Sequence, residues 1–336
     1  MNKMMWQVFA IAIVALSVTA CKEKKREDLL PPITGKPGEV VLVMEENLYK
    51  GMAGDSIFNL LSQQEPALPQ YGMEGGEPMF DLVQIPHAAF TKLFRTHRNL
   101  IITRIGSQIP KPAIRVERNY WAKTQLILRL DAPDKKQFVK LVEDNRDFII
   151  QTLRNAEIHR QMLLNVKYEN IDLAFSMLRN HQINMSFPKG FELKVDTGHF
   201  LWVQYEPEEM IQGVFIWDRP YTSESQLDYG KLVRYIDRHL KPRVPGSSPG
   251  SYMAIEFDAP VFSRVFEHNG CYTRELKGLW KMEGDWMGGP FIAWTLVDER
   301  RQRLVTCFGF IYAPKYNKRN LIRKIESILT TIKFPD

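Results

Sequence analysis

The chain has 336 residues, 44% of them hydrophobic and 25% charged, with a net charge of +6 at pH 7. That is ordinary globular material, long enough for one large domain or two smaller ones. It excludes a disordered, collagen-like or disulfide-dense chain. The basic excess is spread along the sequence, so a nucleic-acid partner is not expected.

The first segment carries one positive charge, Lys3, and then an apolar run from Val8 to Ala20. That run is too short for a membrane span, which needs roughly 20 residues. It reads as a signal peptide over residues 1–20. The run ends Val18-Thr19-Ala20-Cys21. Small residues before a cysteine at the expected cleavage point match a lipobox, in which the Cys21 thiolate accepts a diacylglyceryl group. Two or more acyl chains, at about 0.8 kcal/mol per buried methylene, hold a protein durably on a bilayer. The expectation is an exported lipoprotein, fixed to the membrane through Cys21. Lys22, Lys24, Lys25 and Arg26 then lie beside the head groups, where such charges meet anionic lipid.

Residues 21–38 read as a flexible linker. Lys22 to Asp28 is a charge run, and Pro31, Pro32, Gly35, Pro37 and Gly38 forbid regular structure. A chain of that length spans about 20–25 Å.

Residues 39–165 are expected to form a first lobe. Val40-Val41-Leu42-Val43 predicts a buried strand, and Asp55 to Ser62 a short helix. Phe80 to Ile85 and Leu100 to Ile105 read as strands, with a helical start at Pro86 between them. Ile114 to Tyr120 and Thr124 to Leu130 pair as a hairpin. One long helix follows Asp131-Ala132-Pro133, with Phe138, Leu141, Val142, Phe148, Ile149 and Leu153 at helical spacing. Residues 166–336 form a second lobe with a helix near Ile171 to Leu178. Strands follow near Phe191, Phe200 and Val214, and a helix from Ser223 to His239. Further strands run near Tyr252 and Tyr272. Phe291 to Val297 and Leu304 to Tyr312 form a hairpin, and a last helix carries Ile322, Ile325, Ile328 and Leu329. The class is α+β, with mixed, mainly antiparallel sheets and flanking helices. Leu126 to Leu153 and Cys307 to Ile332 share one order of strand, Ala-Pro turn and basic amphipathic helix, offset by about 181 residues. This raises an internal duplication.

No chemistry is announced by motif. The seven histidines show no metal-binding spacing, there is no Cys-x-x-Cys, and no glycine-rich phosphate loop occurs. No metal or cofactor is expected. Gly246-Ser247-Ser248-Pro249-Gly250 fits Gly-x-Ser-x-Gly in form, but that motif needs a strand before the serine and a helix after it. Here prolines crowd the segment and a strand follows, so it reads as a surface turn. Cys271 and Cys307 are free to pair in an oxidising compartment, or to stay as buried thiols.

The candidate binding surface lies in the second lobe. Gly288 and Gly289 allow close backbone approach, with Asp285, Trp286 and Met287 beside them. Five of the seven tryptophans fall between Trp202 and Trp294, Trp280 among them. Ser251, Tyr252, Glu256 and Glu275 complete the set. Clustered tryptophan can line a groove for a sugar or peptide, or fill a core.

Several segments resemble an uncharacterised lipoprotein family of Bacteroidetes, domain of unknown function family 4837. They are Leu30-Pro31-Pro32 through Val41, Arg98-Asn99-Leu100, Val244-Pro245-Gly246, Gly250-Ser251-Tyr252-Met253, Gly278-Leu279-Trp280, Met287-Gly288-Gly289-Pro290-Phe291 and Tyr312-Ala313-Pro314-Lys315. The resemblance spans nearly the whole mature chain. It implies a cell-envelope lipoprotein and carries no catalytic residues to transfer. In such bacteria surface export resembles a run of acidic residues after the lipidated cysteine. Lys22-Glu23-Lys24-Lys25 departs from it, favouring an outer-membrane anchor with the body in the periplasm. The expected role is non-enzymatic binding of an envelope protein or polymer. The alternative is a cofactor-free hydrolase of a cell-wall or glycan substrate, for which two carboxyl groups about 5–10 Å apart would be needed.

Overall fold

A computed structural model describes residues 29–335. The signal segment and Cys21 lie outside the described residues. Two sheets, each with its own core, divide the described chain.

The first sheet has the order β2-β1-β3-β5-β4. Its strands are β1 (Glu39–Val43), β2 (Asp81–Ile85), β3 (Asn99–Ile105), β4 (Ala113–Arg118) and β5 (Leu126–Ala132). β1 pairs parallel with β2 and β3, and β3 parallel with β5. β4 returns antiparallel on β5, Ala113 opposite Asp131, as the hairpin reading requires. β1 shows why its apolar run is unbroken. Val40 and Leu42 face one core with Ile57, Phe138 and Leu153. Val41 and Val43 face another, with Phe90, Phe94 and Trp121 packed on it. A parallel strand buried on both faces has no polar side to alternate with. Helices α1 (Glu46–Tyr49), α2 (Met52–Leu61), α3 (Lys92–Arg95), α4 (Lys135–Asp144) and α5 (Arg146–Lys167) complete this lobe.

The single long helix expected after Pro133 is two. Asp134 caps α4, its carboxylate accepting from the Gln137 N–H at 2.9 Å. Asn145 then leaves the helical region at φ −120°, and its side-chain amide donates back to the Leu141 carbonyl. The apolar spacing survives this break, so periodicity could not see it.

Helix α6 (Ile171–His181) leads into an antiparallel sheet of order β10-β11-β12-β13-β8-β7-β6, with β9 paired to β11. Its strands are β6 (Glu192–Asp196), β7 (Phe200–Tyr205), β8 (Ile211–Pro220), β9 (Tyr252–Ile255), β10 (Phe262–His268), β11 (Cys271–Glu283), β12 (Gly288–Asp298) and β13 (Arg303–Tyr312). Both faces are covered. Ile216, Trp294 and Cys307 pack with α6 and with α8 (Arg319–Leu329) on one side. Phe215, Phe291, Phe308 and Trp280 pack with α7 (Tyr229–Leu240) on the other.

The α+β class holds, but the internal echo is local. β5 lies beside a parallel neighbour in the first sheet, whereas β13 is antiparallel to both of its neighbours. The shared strand–turn–helix units sit in sheets of different topology.

Residues 29–38 do not hang free, contrary to the linker reading of 21–38. Thr34 bridges to His97, and Arg98 N–H donates to the Thr34 carbonyl. The Pro31 carbonyl accepts from Lys123 N–H at 2.9 Å, and Asn320 donates to the Pro37 carbonyl. The prolines and glycines forbid a strand but let the segment follow the body closely.

Candidate functional site

The hairpin β11–β12 ends in a turn where the two glycine-bearing segments meet. Gly284 takes φ +82°, a left-handed conformation that suits glycine. Asp285 then faces the Gly246–Gly250 loop. Its carboxylate accepts from Ser247 Oγ at 2.6 Å, Ser248 Oγ at 3.4 Å and Trp286 N–H at 2.7 Å. The Ser247 hydroxyl, and after it the Trp286 amide, hold this carboxyl below its usual range. Ser251 is buried under the loop, donating from Oγ to the Ser248 carbonyl. Lys241 Nζ lies 4.4 Å from the ring centre of Tyr252. The result is a braced tip from which Trp286 projects, 100% exposed.

Most of the other expected site residues serve the fold. Trp217, Trp280 and Trp294 are core residues. Trp280 Nε1 donates to the Ile311 carbonyl, and Trp294 Nε1 to Glu275. Gly288 and Gly289 are strand residues rather than a ligand cradle. A Cβ on Gly289 would lie 2.1 Å from the Ile311 carbonyl oxygen, so glycine is needed for strand pairing there.

The expected carboxylates Glu256, Glu275 and Asp285 do not converge. Glu256 N–H pairs with the Leu279 carbonyl, which sets Glu256 level with residue 279 of β11. By strand rise it is about 14 Å from the level of Glu275, and Asp285 lies beyond the other end of the strand, in the turn after Glu283. Glu275 instead meets Arg264 at 2.6 Å, and Glu256 lies 3.5 Å from Lys281. Nor does the one histidine that follows Ser248 in the sequence reach it. His268 pairs with Cys271 at the opposite end of β11, about 40 Å away along the strand.

The disulfide reading fails on register. Cys307 is opposite Trp294, which is opposite Glu275. Cys271 therefore lies two strands across and four residues along, about 17 Å away. A disulfide needs Cα atoms within about 7 Å. Both thiols are free. Among the described residues, no three His, Cys, Asp or Glu side chains form a group that could hold a metal ion.

Sequence reasoning missed the strongest electrostatic feature, a buried ion network between the lobes. Arg154 of α5 grips Glu326 of α8 with both terminal nitrogens, Nη1 to Oε1 at 2.7 Å. Arg323 Nη2 donates to Glu65 at 2.5 Å, and Lys277 Nζ to Glu326 at 3.1 Å. Burial pushes the Glu326 carboxyl up, but Arg154 and Lys277 outweigh it and hold it well below its usual range. A second set joins Arg98 and Arg160 to Glu157 and Asn99. A faint signal was present: Arg319, Arg323 and Glu326 recur at helical spacing alongside the apolar face of an amphipathic helix.

A cavity of about 340 Å³ opens beside this seam, walled by Ile33, Arg98, Arg160, Leu163, Leu164 and Arg323.

Fold and site thus define a two-lobed α+β protein with an ion-paired seam and one exposed aromatic tip. Residues 172–331 match the family described as a domain of unknown function, DUF4837. Residues 33–164 match a different one, also a domain of unknown function, DUF8532. The resemblance drawn from sequence over nearly the whole chain is therefore borne out in the second lobe. The segments at 30–41 and 98–100 fall in or beside the other match. No curated protein matches the chain.

Proposed function

We propose that this protein is a cell-envelope lipoprotein, anchored through Cys21 on the outer membrane with its body in the periplasm, that binds a partner protein through the tip of its second lobe. The reading rests on Trp286. A side chain of this kind buries about 150–250 Å² when covered, and tryptophan is enriched among residues that dominate binding energy. Here it stands wholly exposed on a turn whose shape is fixed by Asp285, Ser247 and Ser248. Bracing lowers the entropy lost when such a group is seated in a partner's pocket.

The anchor is supported by the Val18-Thr19-Ala20-Cys21 sequence and by the apolar run before it. No helix among the described residues is long and apolar enough to cross a membrane. The mixed charges of Lys22-Glu23-Lys24-Lys25 support the periplasmic side.

A photo-reactive amino acid at position 286 tests the binding role in intact cells. One adduct of discrete mass is expected there, and none from the same group at Lys315, which is also exposed. Equal labelling at both positions, or none at either, refutes a tip-directed partner. Cys21→Ser tests the anchor: processing and membrane retention should both be lost.

A further inference from the structure

Helix α6 has two apolar faces. Leu173 and Met177 enter the core. Ile171, Phe175 and Leu178 lie on the other side at helical spacing, and Ile171 is 72% and Phe175 62% exposed. Leu164 in the last turn of α5 and Tyr168 just after it are both about half exposed. Scattered exposed hydrophobics are normal, but Ile171, Phe175 and Leu178 share one face of α6, with Leu164 and Tyr168 exposed just before it in the chain, and water solvates such a surface poorly.

The N-terminal segment says which environment this stripe meets. Pro31 is bonded to Lys123, and Ile33 shares a cavity wall with Leu163 and Leu164. The chain therefore enters the body beside the end of α5. Cys21 precedes Leu29 by eight residues, at most about 28 Å even when fully extended. An acyl group on Cys21 holds this flank near the bilayer. Charge around the stripe is small: Lys167, Glu169, Asp172, Arg179 and Lys189, whose N–H bonds to the Tyr168 carbonyl, sum to +1.

We propose that the flank made by the last turn of α5 and the outer face of α6 is seated in the head-group boundary of the leaflet that holds the Cys21 lipid. This rests on the lipid anchor proposed above. The anchor supplies proximity and the stripe supplies orientation, so the body lies on the membrane by one defined side.

The test uses the lipidated full chain in vesicles of phosphatidylethanolamine and phosphatidylglycerol. A nitroxide is placed at Phe175→Cys or, as control, at Lys231→Cys, each with Cys271→Ser. Lys231 is an exposed residue of α7, on the opposite face of the second sheet. Relative to position 231, collision with a water-soluble nickel chelate should fall about tenfold at position 175, as for a side chain about 5–10 Å into the boundary. High salt should not change that ratio. In an Ile171→Glu variant the protection at 175 should vanish while the chain stays on the vesicle.

Equal nickel access at 175 and 231, with the chain retained, overturns the seating and leaves the anchor intact. If Cys21→Ser is retained as well as the parent, the anchor reading fails and the proposal with it. Spin–spin broadening between 175 labels that persists in detergent would assign the stripe to a second copy and also overturn the proposal.

Discussion

Replacing Glu326 by Gln keeps the shape of the side chain and removes one charge from the seam between the lobes. The network holds four cations, Arg154, Arg264, Lys277 and Arg323, against three carboxylates, Glu65, Glu275 and Glu326. The change leaves four against two. Arg154 would keep only Glu65, at 3.8 Å and already engaged by Arg323. Glu326 is 1% exposed, so solvent does little to relieve the imbalance. Breaking a buried pair by removing one partner costs about 3–5 kcal/mol. At about 2 °C per kcal/mol for a large unit, Tm should fall by about 6–10 °C. Urea unfolding followed by circular dichroism, with a calorimetric scan, measures both. Arg154→Met alone should cost a similar amount. Adding it to Glu326→Gln should cost little more, because the interaction is already lost. A single-variant loss below about 1 kcal/mol, or costs that simply add, would refute a coupled seam.

Acid should destabilise the protein in two stages. Burial, then Arg243 and Arg219, pull the His239 imidazole down to about 4 from its usual 6.5. As pH falls through that window the unfolded chain binds the proton first, so stability declines from about pH 6.5 to 4. His239→Phe, which preserves stacking on Trp217, should flatten this part of a stability–pH profile. The buried carboxylates Glu326 and Glu65, both held low, stabilise the fold above pH 4.5 and lose that contribution in stronger acid. Reductant should leave the mass and Tm unchanged, since Cys271 and Cys307 are free. Burial pushes the Cys307 thiol up to about 12, so a thiol reagent should modify it only after denaturation, whereas half-buried Cys271 should react slowly in the native state. Gly289→Ala should cost about 3 kcal/mol through overpacking against Ile311, and retention of parental Tm would refute the close strand contact.

Sequence carried the elements whose pattern is self-contained. Val40 to Val43 and the β4–β5 hairpin are legible as short apolar or β-branched runs bounded by turn residues, and α8 because burial repeats with the helical period. What it could not carry depends on partners distant in the chain. Arg154 and Glu326 are 172 residues apart, and nothing local marks either as paired. Glycine was also ambiguous. The left-handed residue of the tip is Gly284, while Gly289 is glycine because the Ile311 carbonyl leaves no room for a side chain and Gly288 is only crowded by the Trp280 carbonyl. Tryptophan misled in the same way: three of the five clustered in the second lobe fill the core, and the binding candidate is the one with no wall around it.

The seam also explains how two lobes that match different family models act as one body. Apolar contacts between α5 and α8 would hold the helices together in more than one register, because burial has no direction. Bidentate guanidinium–carboxylate pairs do have direction. Arg154 on Glu326, and Asn165 Nδ2 on Ser327 Oγ at 2.9 Å, fix the helices along their length. Arg319 on Asp81, with Lys318 and Arg319 N–H groups on Glu77, fix the start of α8 against the first lobe. Sliding either helix by one turn would strand several of these groups without partners in a dry interface, which costs far more than the apolar area regained. The lobes therefore dock in one register, and the Trp286 tip keeps a constant position relative to the flank beside the N-terminal segment.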